Sequence, residues 1–171
     1  ANAYVDIIES MLAEGIDITG LALPRSFGFL SGLKTNIMFM SPAWKDLISL
    51  DFPARLAAIQ NASTREQLIK EASEMGSEGN SAPPLDSWVS NFYALGDGES
   101  PEYTKGADES LPAIAKAAGE HPAETWLRVM LESNGEALFH VRFGNKDYDG
   151  LEEFLKSDWI LPSLGDTGAH L

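Results

Sequence analysis

Cysteine is absent from the 171 residues of this chain. A sequence without cysteine can form no disulfide framework and can hold no metal ion through thiolates. The absence is consistent with a reducing compartment, and we therefore expect a cytoplasmic location. Histidine is also scarce, with three residues in the chain, and none of them belongs to a His-x-His or His-Glu-x-x-His pattern.

Basic side chains are few. Twelve lysines and arginines stand against 26 aspartates and glutamates, which gives a net charge of −14. Binding to nucleic-acid phosphates needs a basic surface, so this composition argues against a nucleic-acid partner. No apolar run approaches the roughly 20 residues that span a bilayer, and no signal segment opens the chain. We therefore expect neither a nucleic-acid nor a membrane partner.

Two common classes of catalytic motif are missing as well. The sequence contains neither Gly-x-Gly-x-x-Gly nor Gly-x-x-x-x-Gly-Lys-Ser, so nucleotide binding through a phosphate loop has no support. It also lacks Gly-x-Ser-x-Gly, the pattern of a serine nucleophile at a strand-to-helix turn. Any chemistry in this chain must therefore rest on other residues.

Helices and strands alternate in the predicted secondary structure. Hydrophobic residues at 44% and charged residues at 22% are ordinary for a globular chain. Helical spacing of apolar residues and capping patterns predict helices at 3–14, 43–50, 53–60, 63–75, 111–118, 123–132 and 148–156. Apolar or β-prone runs predict strands at 16–23, 88–95, 137–143 and 159–161. The segment 26–40 is predicted to be a loop, and Ser63 is predicted to begin a capping box.

The last thirteen residues combine a short apolar run with a carboxylate between glycines. Residues 159–171 read Trp-Ile-Leu-Pro-Ser-Leu-Gly-Asp-Thr-Gly-Ala-His-Leu. Such a run is typical of a strand buried in a parallel sheet, and the glycines allow Asp166 to be presented at its end. In a parallel α/β barrel the chemistry is usually found at the carboxyl ends of strands. An aspartate between glycines can equally be a turn residue that bonds its own backbone.

The segment 165–170, Gly-Asp-Thr-Gly-Ala-His, resembles the aspartate motif on the last barrel strand of the amidohydrolase superfamily, in particular its N-acyl-D-amino-acid deacylase (D-aminoacylase) branch. Residues 15–28 are similar to the preceding strand and Pro-Arg segment of that branch, and residues 39–68 resemble its helical insertion. The resemblance implies an α/β fold, a partial TIM-type (β/α) barrel with a mainly helical insertion. The expected divisions are a helix and barrel strand at 1–30, the insertion at 31–135 and a closing strand-helix-strand at 136–171.

The resemblance also implies a chemistry. A parent enzyme would hydrolyse the amide bond of a small N-acyl (D-)amino acid with metal-activated water. Asp166 would bind the metal, expected to be zinc, and accept a proton from the water. The family's metal-binding histidines would precede Ala1. A lone carboxylate cannot hold a catalytic zinc, which generally takes three protein ligands, so we expect this chain alone to bind no metal tightly and to be inactive.

Four other residues are candidates for a functional or a structural role. Arg25, just beyond a predicted strand, could clamp a substrate carboxylate or form a surface ion pair. His170 could orient the Asp166 loop or be a frayed terminus. His121 precedes Pro122 and is interpreted as an exposed helix cap, and His140 as a packing or hydrogen-bonding residue in a strand.

A second function class remains open, a non-catalytic acidic domain that binds other proteins. The chain starts inside a predicted helix without Met and stops five residues after Asp166, which we interpret as a fragment of a longer enzyme. A partial barrel would expose strand edges and apolar faces. We therefore expect a homo-oligomer or an element-swapped dimer that covers them.

Overall fold

The structure is a computed structural model that describes residues 3–75, 89–96, 100–145 and 148–163. This part of the chain is mixed α/β, with seven α-helices and two small sheets, neither of which closes into a barrel. The general α/β class expected from the sequence is therefore confirmed. None of the helices within the described ranges is long and apolar enough to cross a bilayer.

The described elements follow one another in this order: α1 (Ala3–Ala13), β1 (Gly20–Ala22), β2 (Phe27–Ser31), α2 (Pro42–Ser49), α3 (Phe52–Gln60), α4 (Ala62–Ser73), β3 (Phe92–Ala94), a 3-10 turn (Ala107–Glu109), α5 (Leu111–Ala118), α6 (Pro122–Glu132), β4 (Phe139–Gly144), α7 (Tyr148–Leu155) and β5 (Ile160–Pro162). The seven helices lie within a few residues of their predicted positions. The strands are shorter than predicted at β1 and β3, where only three residues pair.

The segment 26–40 was wrongly predicted to be a loop throughout, because its first part forms strand β2. A side chain at Gly28 would overlap the carbonyl oxygen of Val141 in β4, so the two backbones approach each other as closely as glycine permits. A glycine inside a strand often marks such an approach. The same glycine weakens the sequence pattern from which a strand is predicted.

The predicted capping box at Ser63 is also wrong. Helix α4 begins at Ala62, and the side chain of Asn61 caps it by accepting from the backbone N–H groups of Ser63 (3.0 Å) and Thr64 (3.2 Å). The Ser63 hydroxyl donates to the same Asn61 oxygen at 2.8 Å. Asparagine is at least as good a cap as serine, and here it lies two residues earlier.

The chain divides into two compact units. The smaller unit combines Ala1–Phe27 with Phe143–Leu171, and the larger unit, Gly28–Arg142, is inserted between these two segments in the sequence. The boundaries expected from the sequence, at 30/31 and 135/136, stay a prediction about domains.

The larger unit is built around an aromatic cluster. The rings of Phe39 and Trp44 stack with centroids 4.2 Å apart, and Trp126 meets both edge-on at 5.8 and 5.6 Å. All three side chains are almost completely buried. The Trp44 indole N–H donates to the carbonyl of Leu68 at 2.9 Å, which fastens α2 to α4. Beside this helical core lies a three-stranded sheet in the order β2-β4-β3, with β3 and β4 antiparallel.

The smaller unit contains a two-stranded parallel sheet. Strands β1 and β5 pair in a register that sets Gly20 opposite Ile160, Leu21 opposite Leu161 and Ala22 opposite Pro162. Backbone bonds extend the pairing at both ends, from Gly20 N–H to the Trp159 carbonyl and from Ser163 N–H to the Ala22 carbonyl, both at 2.8 Å. A Cβ built at Gly20 would lie 3.3 Å from the Ile8 side chain, so helix α1 covers this face of the sheet.

Candidate functional site

The carboxyl ends of β1 and β5 lie side by side in the smaller unit. Because the two strands are parallel and Ala22 is opposite Pro162, the chain leaves both strands at the same edge of the sheet. From β1 it continues into Pro24 and Arg25, and from β5 it continues toward the Gly-Asp-Thr-Gly-Ala-His segment. Carboxyl ends of parallel strands are where ligands and catalytic groups collect in α/β folds. Asp166 and His170, with the rest of 164–171, lie outside the described residues.

Arg25 is the predicted site residue that the structure describes. It lies three residues beyond the end of β1, and its side chain is exposed. Within the described ranges its guanidinium makes no ion pair, so no described carboxylate holds it. A guanidinium presented in this way can bind a carboxylate from solution by donating two parallel N–H hydrogen bonds.

Asn145 holds the backbone on both sides of Pro24. Its side-chain amide donates to the carbonyl of Leu23 at 3.0 Å and to the carbonyl of Arg25 at 3.2 Å. Asn145 itself adopts a left-handed conformation with φ of 52° just after β4 ends. Asparagine tolerates this conformation better than most residues. Both hydrogens of one amide thus secure the turn that carries Arg25.

Tyr148 secures the same turn on its other side. The hydroxyl groups of Tyr148 and Ser26 are hydrogen-bonded at 3.0 Å, and Ser26 is buried. Tyr148 is the first residue of α7, so this bond ties the turn to the start of the helix that leads into β5. We name residues Leu23–Ser26 the Arg25 loop.

Helix α7 and Pro24 enclose a shallow groove next to this loop. Its volume is about 290 Å³, and it is lined by Pro24, Tyr148, Leu151, Glu152, Leu155 and Lys156. Its charged rim is the pair Glu152–Lys156, with 2.5 Å between the carboxylate and the ammonium group. The hydrogen bond from Lys156 lowers the pKa of Glu152 from its usual value. The groove is small beside typical ligand pockets, which begin at about 300 Å³.

The described histidines have structural roles. His121 is the N-cap of α6, where its Nδ1 accepts from the Ala123 N–H at 3.2 Å, so the predicted cap is confirmed. Its side chain is half-buried, so the expectation that it is exposed is wrong. His140 is buried in β4 and packs edge-on against the ring of Tyr103 at 5.4 Å. Within the described ranges no three His, Asp or Glu side chains lie close enough to hold a metal ion.

Arg142, in the larger unit, was not singled out from the sequence. Its buried guanidinium donates to the carbonyls of Lys105 (2.8 Å) and Tyr103 (2.9 Å). The same group lies 3.7 Å from the centre of the Tyr93 ring, a cation–π contact. These bonds fasten the segment 103–105 to the β3–β4 sheet. A charged residue within the apolar strand run Phe139–Phe143 is the one sequence signal that could have revealed this role.

Asn145 and Tyr148 were missed for a different reason. Each acts through hydrogen bonds to residues of the Arg25 loop, which lie 120 or 122 positions earlier in the chain. Local patterns carry no information about such partners. The Gly144-Asn145 pair after a strand signals only a turn.

No protein-family model, curated protein or solved structure matches this chain.

Proposed function

We propose that this chain is part of a metal-dependent amidohydrolase similar to the N-acyl-D-amino-acid deacylase branch. In this proposal β1 and β5 are neighbouring strands of a TIM-type barrel, and the larger unit is a mainly helical insertion between them. The observation that carries the proposal is the parallel pairing of β1 with β5. It supports an arrangement in which the Arg25 loop and the glycine-flanked Asp166 leave the sheet at one edge.

The order of elements in the smaller unit supports the barrel interpretation. Helix α1 precedes β1, and helix α7 precedes β5, which gives two successive helix-strand repeats with the larger unit between them. Parallel strands need a crossover connection, and α7 lies within this one. Helix α1 covers the Gly20 face, and the opposite face bears Leu21 and Leu161. In a complete barrel that second face would point inward, where bulky aliphatic side chains from the strands pack in layers.

The proposed reaction is hydrolysis of the amide bond in a small N-acylated amino acid. Asp166 would accept a proton from the attacking water, and Arg25 would bind the substrate carboxylate. His170 would hold the Asp166 loop in position through a hydrogen bond. A divalent cation, expected to be zinc, would make the water more acidic. The described residues contain no ligand set for that cation. In this proposal its other ligands come from histidines on strands that precede α1.

Two further properties belong to this proposal. The enzyme would act in the cytoplasm on small molecules. The 171-residue chain by itself would be inactive. It would also associate with a second copy, because Leu21 and Leu161 leave an apolar face of the sheet exposed. Association by exchange of an element between copies would cover the same face.

A non-catalytic, acidic protein-binding domain is the second candidate. The net charge of −14 and the separate buried core of the larger unit favour it. A highly charged surface suits a basic protein partner through long-range attraction. The two candidates differ in one readily observed feature, because only the enzyme requires a His-x-His pattern in the protein sequence that precedes Ala1.

The activity test uses the complete gene product loaded with zinc, assayed with N-acetylated D- and L-amino acids. We expect hydrolysis of at least one of these compounds, and we expect Asp166→Asn to lower kcat by about 10² to 10⁴, the usual contribution of a general base. Asp158→Asn is the matched control, since Asp158 is an exposed carboxylate eight residues earlier. A wild-type protein without amidase activity, or an Asp166→Asn variant with full activity, would overturn the proposal.

A further inference from the structure

We propose that Asn145 and Tyr148 are positioning residues that fix the Arg25 loop so that its guanidinium is presented to a substrate carboxylate. The inference rests on the proposed function and deepens it, because it names the residues that prepare the carboxylate-binding group. Neither residue touches substrate in this role. Both act on the backbone and side chain next to Arg25.

The first support is how completely the amide of Asn145 is used. It donates to Leu23 and to Arg25, the residues on either side of Pro24. Proline fixes its own φ near −65°, so the short turn has few remaining degrees of freedom. With two carbonyls of that turn held by one planar amide, the Cα–Cβ direction of Arg25 is set by the backbone.

The second support is the contrast between the loop and the side chain that it carries. Ser26 is buried and hydrogen-bonded to Tyr148, and the carbonyls on either side of Pro24 accept from Asn145. The Arg25 side chain, in contrast, is exposed. An arginine that served only to solvate the surface would gain nothing from such a fixed backbone. A guanidinium that binds a ligand gains affinity, because less conformational entropy is lost when the ligand arrives.

The third support is the location of these anchors. Asn145 follows β4 and Tyr148 begins α7, the helix that leads directly into β5. The Arg25 loop is therefore tied to the segment that determines where β5 starts. Since β1 and β5 end at the same edge, the anchors hold Arg25 near the carboxyl end of β5.

The direct test measures binding of a carboxylate by this 171-residue chain. The probe is N-acetylglycine, and the readout is the NMR signal of the Arg25 Nε–Hε group during titration. We expect a saturable shift in the wild-type chain and binding about 3- to 10-fold weaker in Asn145→Gly, as one side chain loses its preorganisation. Glycine adopts the left-handed conformation readily, so this variant removes the amide without straining the backbone. Tyr148→Phe should weaken binding in the same direction.

The matched control is Asn134→Gly, because Asn134 also has a φ of 52° but lies at the end of α6 in the larger unit. It should bind the probe as the wild type does. In the complete enzyme, an Arg25→Ala background should remove the effect of Asn145→Gly on KM, since a positioning residue has nothing left to position. N-Acetylglycinamide, which lacks the carboxylate, should not shift the Arg25 signal in any variant.

Kinetics of the complete enzyme separate this inference from the proposed function. Asn145→Gly should raise KM for the acid substrate by the same 3- to 10-fold and leave kcat nearly unchanged, the signature of lost uniform binding. If the enzyme hydrolyses no amide but the titration behaves as described, the proposed function fails and the positioning role stands. If Asn145→Gly binds N-acetylglycine as tightly as the wild type, or if the wild-type Arg25 signal does not shift, the inference is overturned.

Discussion

Leu21 and Leu161 lie opposite each other in the parallel pairing of β1 with β5, and their side chains are 62% and 55% exposed. Parallel sheets are normally covered on both faces. Here one face is covered, since Ile8 and Trp159 pack close to Gly20, while the face with the two leucines is open. We expect a second copy of the chain to cover this apolar pair.

The open leucine face predicts self-association of the 171-residue chain. We expect a concentration-dependent dimer in light scattering coupled to size-exclusion chromatography. Leu21→Ser combined with Leu161→Ser should raise the dissociation constant roughly tenfold or more, because burial of a leucine contributes about 1.5 to 3 kcal/mol. Leu50→Ser, at an exposed leucine of the larger unit, is the control and should leave the dimer intact. A wild-type chain that remains monomeric at high concentration would contradict the prediction.

The two buried tryptophans of the larger unit provide a matched test of the core. Both side chains are completely buried, but the Trp44 indole donates to Leu68, whereas the Trp126 indole has no acceptor among the described residues. Replacement by phenylalanine leaves a similar void at either position. Trp44→Phe also loses a hydrogen bond, while Trp126→Phe removes a buried donor without a partner in the described part of the chain.

We therefore expect Trp44→Phe to lower the free energy of unfolding by about 1 to 2 kcal/mol more than Trp126→Phe does. Urea denaturation of the two variants and the wild type measures this difference at one pH and temperature. Equal losses, or a larger loss for Trp126→Phe, would show that the Trp44–Leu68 bond does not hold α2 to α4 as described.

The fold could be anticipated from sequence wherever local signals and final packing agree. Helix α6 follows directly from the His121-Pro122 start and its regular apolar spacing, because the same residues that favour the helix also face the core. Strand β2 could not be anticipated. It depends on Gly28 lying against Val141, a contact between positions 113 residues apart that no local pattern encodes.

The candidate site was predicted only in part for a related reason. Arg25 could be singled out because it follows an apolar run and a proline, which are local features. Arg25 follows β1, and β1 pairs with β5. This pairing joins segments that are 140 residues apart in the chain, with Gly20 opposite Ile160. The residues that hold its loop, Asn145 and Tyr148, are visible only once that long-range arrangement is known.

The Glu120–Arg128 pair predicts an acid-sensitive contribution to the stability of the larger unit. Arg128 donates to both carboxylate oxygens of Glu120, at 2.9 and 3.0 Å, and Thr125 donates at 2.7 Å. The hydrogen bonds from Arg128, and then that from Thr125, lower the pKa of Glu120 from its usual value of 4.5. A lowered folded-state pKa stabilises the fold above pH 4.5, and the effect disappears as the pH falls through the folded-state value.

We expect Glu120→Gln to cost about 0.5 kcal/mol at pH 7, a small value because the Arg128 side chain is 37% exposed and solvent screens the pair. The difference between variant and wild type should shrink steadily below pH 4.5. Urea denaturation at pH 7, 5 and 3.5 measures it. Glu124→Gln is the control for loss of a surface carboxylate, since Glu124 is an exposed glutamate of α6, the helix that bears Arg128, and has no ion pair among the described residues. A Glu120→Gln difference that grows toward low pH would have the wrong sign for this pair.

Zinc binding distinguishes this chain from the complete gene product if the proposed function is right. The described residues bring no three His, Asp or Glu side chains together, and a catalytic zinc generally takes three protein ligands. We expect equilibrium dialysis to find less than 0.1 zinc ion per 171-residue chain at about micromolar free zinc, against roughly one or two per complete gene product. Treatment of the complete protein with a chelator should abolish hydrolysis, and added zinc should restore it. The 171-residue chain should stay inactive at any zinc concentration, since one carboxylate cannot fix the cation. A stoichiometry near one for this chain, together with amide hydrolysis, would mean that these residues form a complete site and that no ligands from earlier strands are needed.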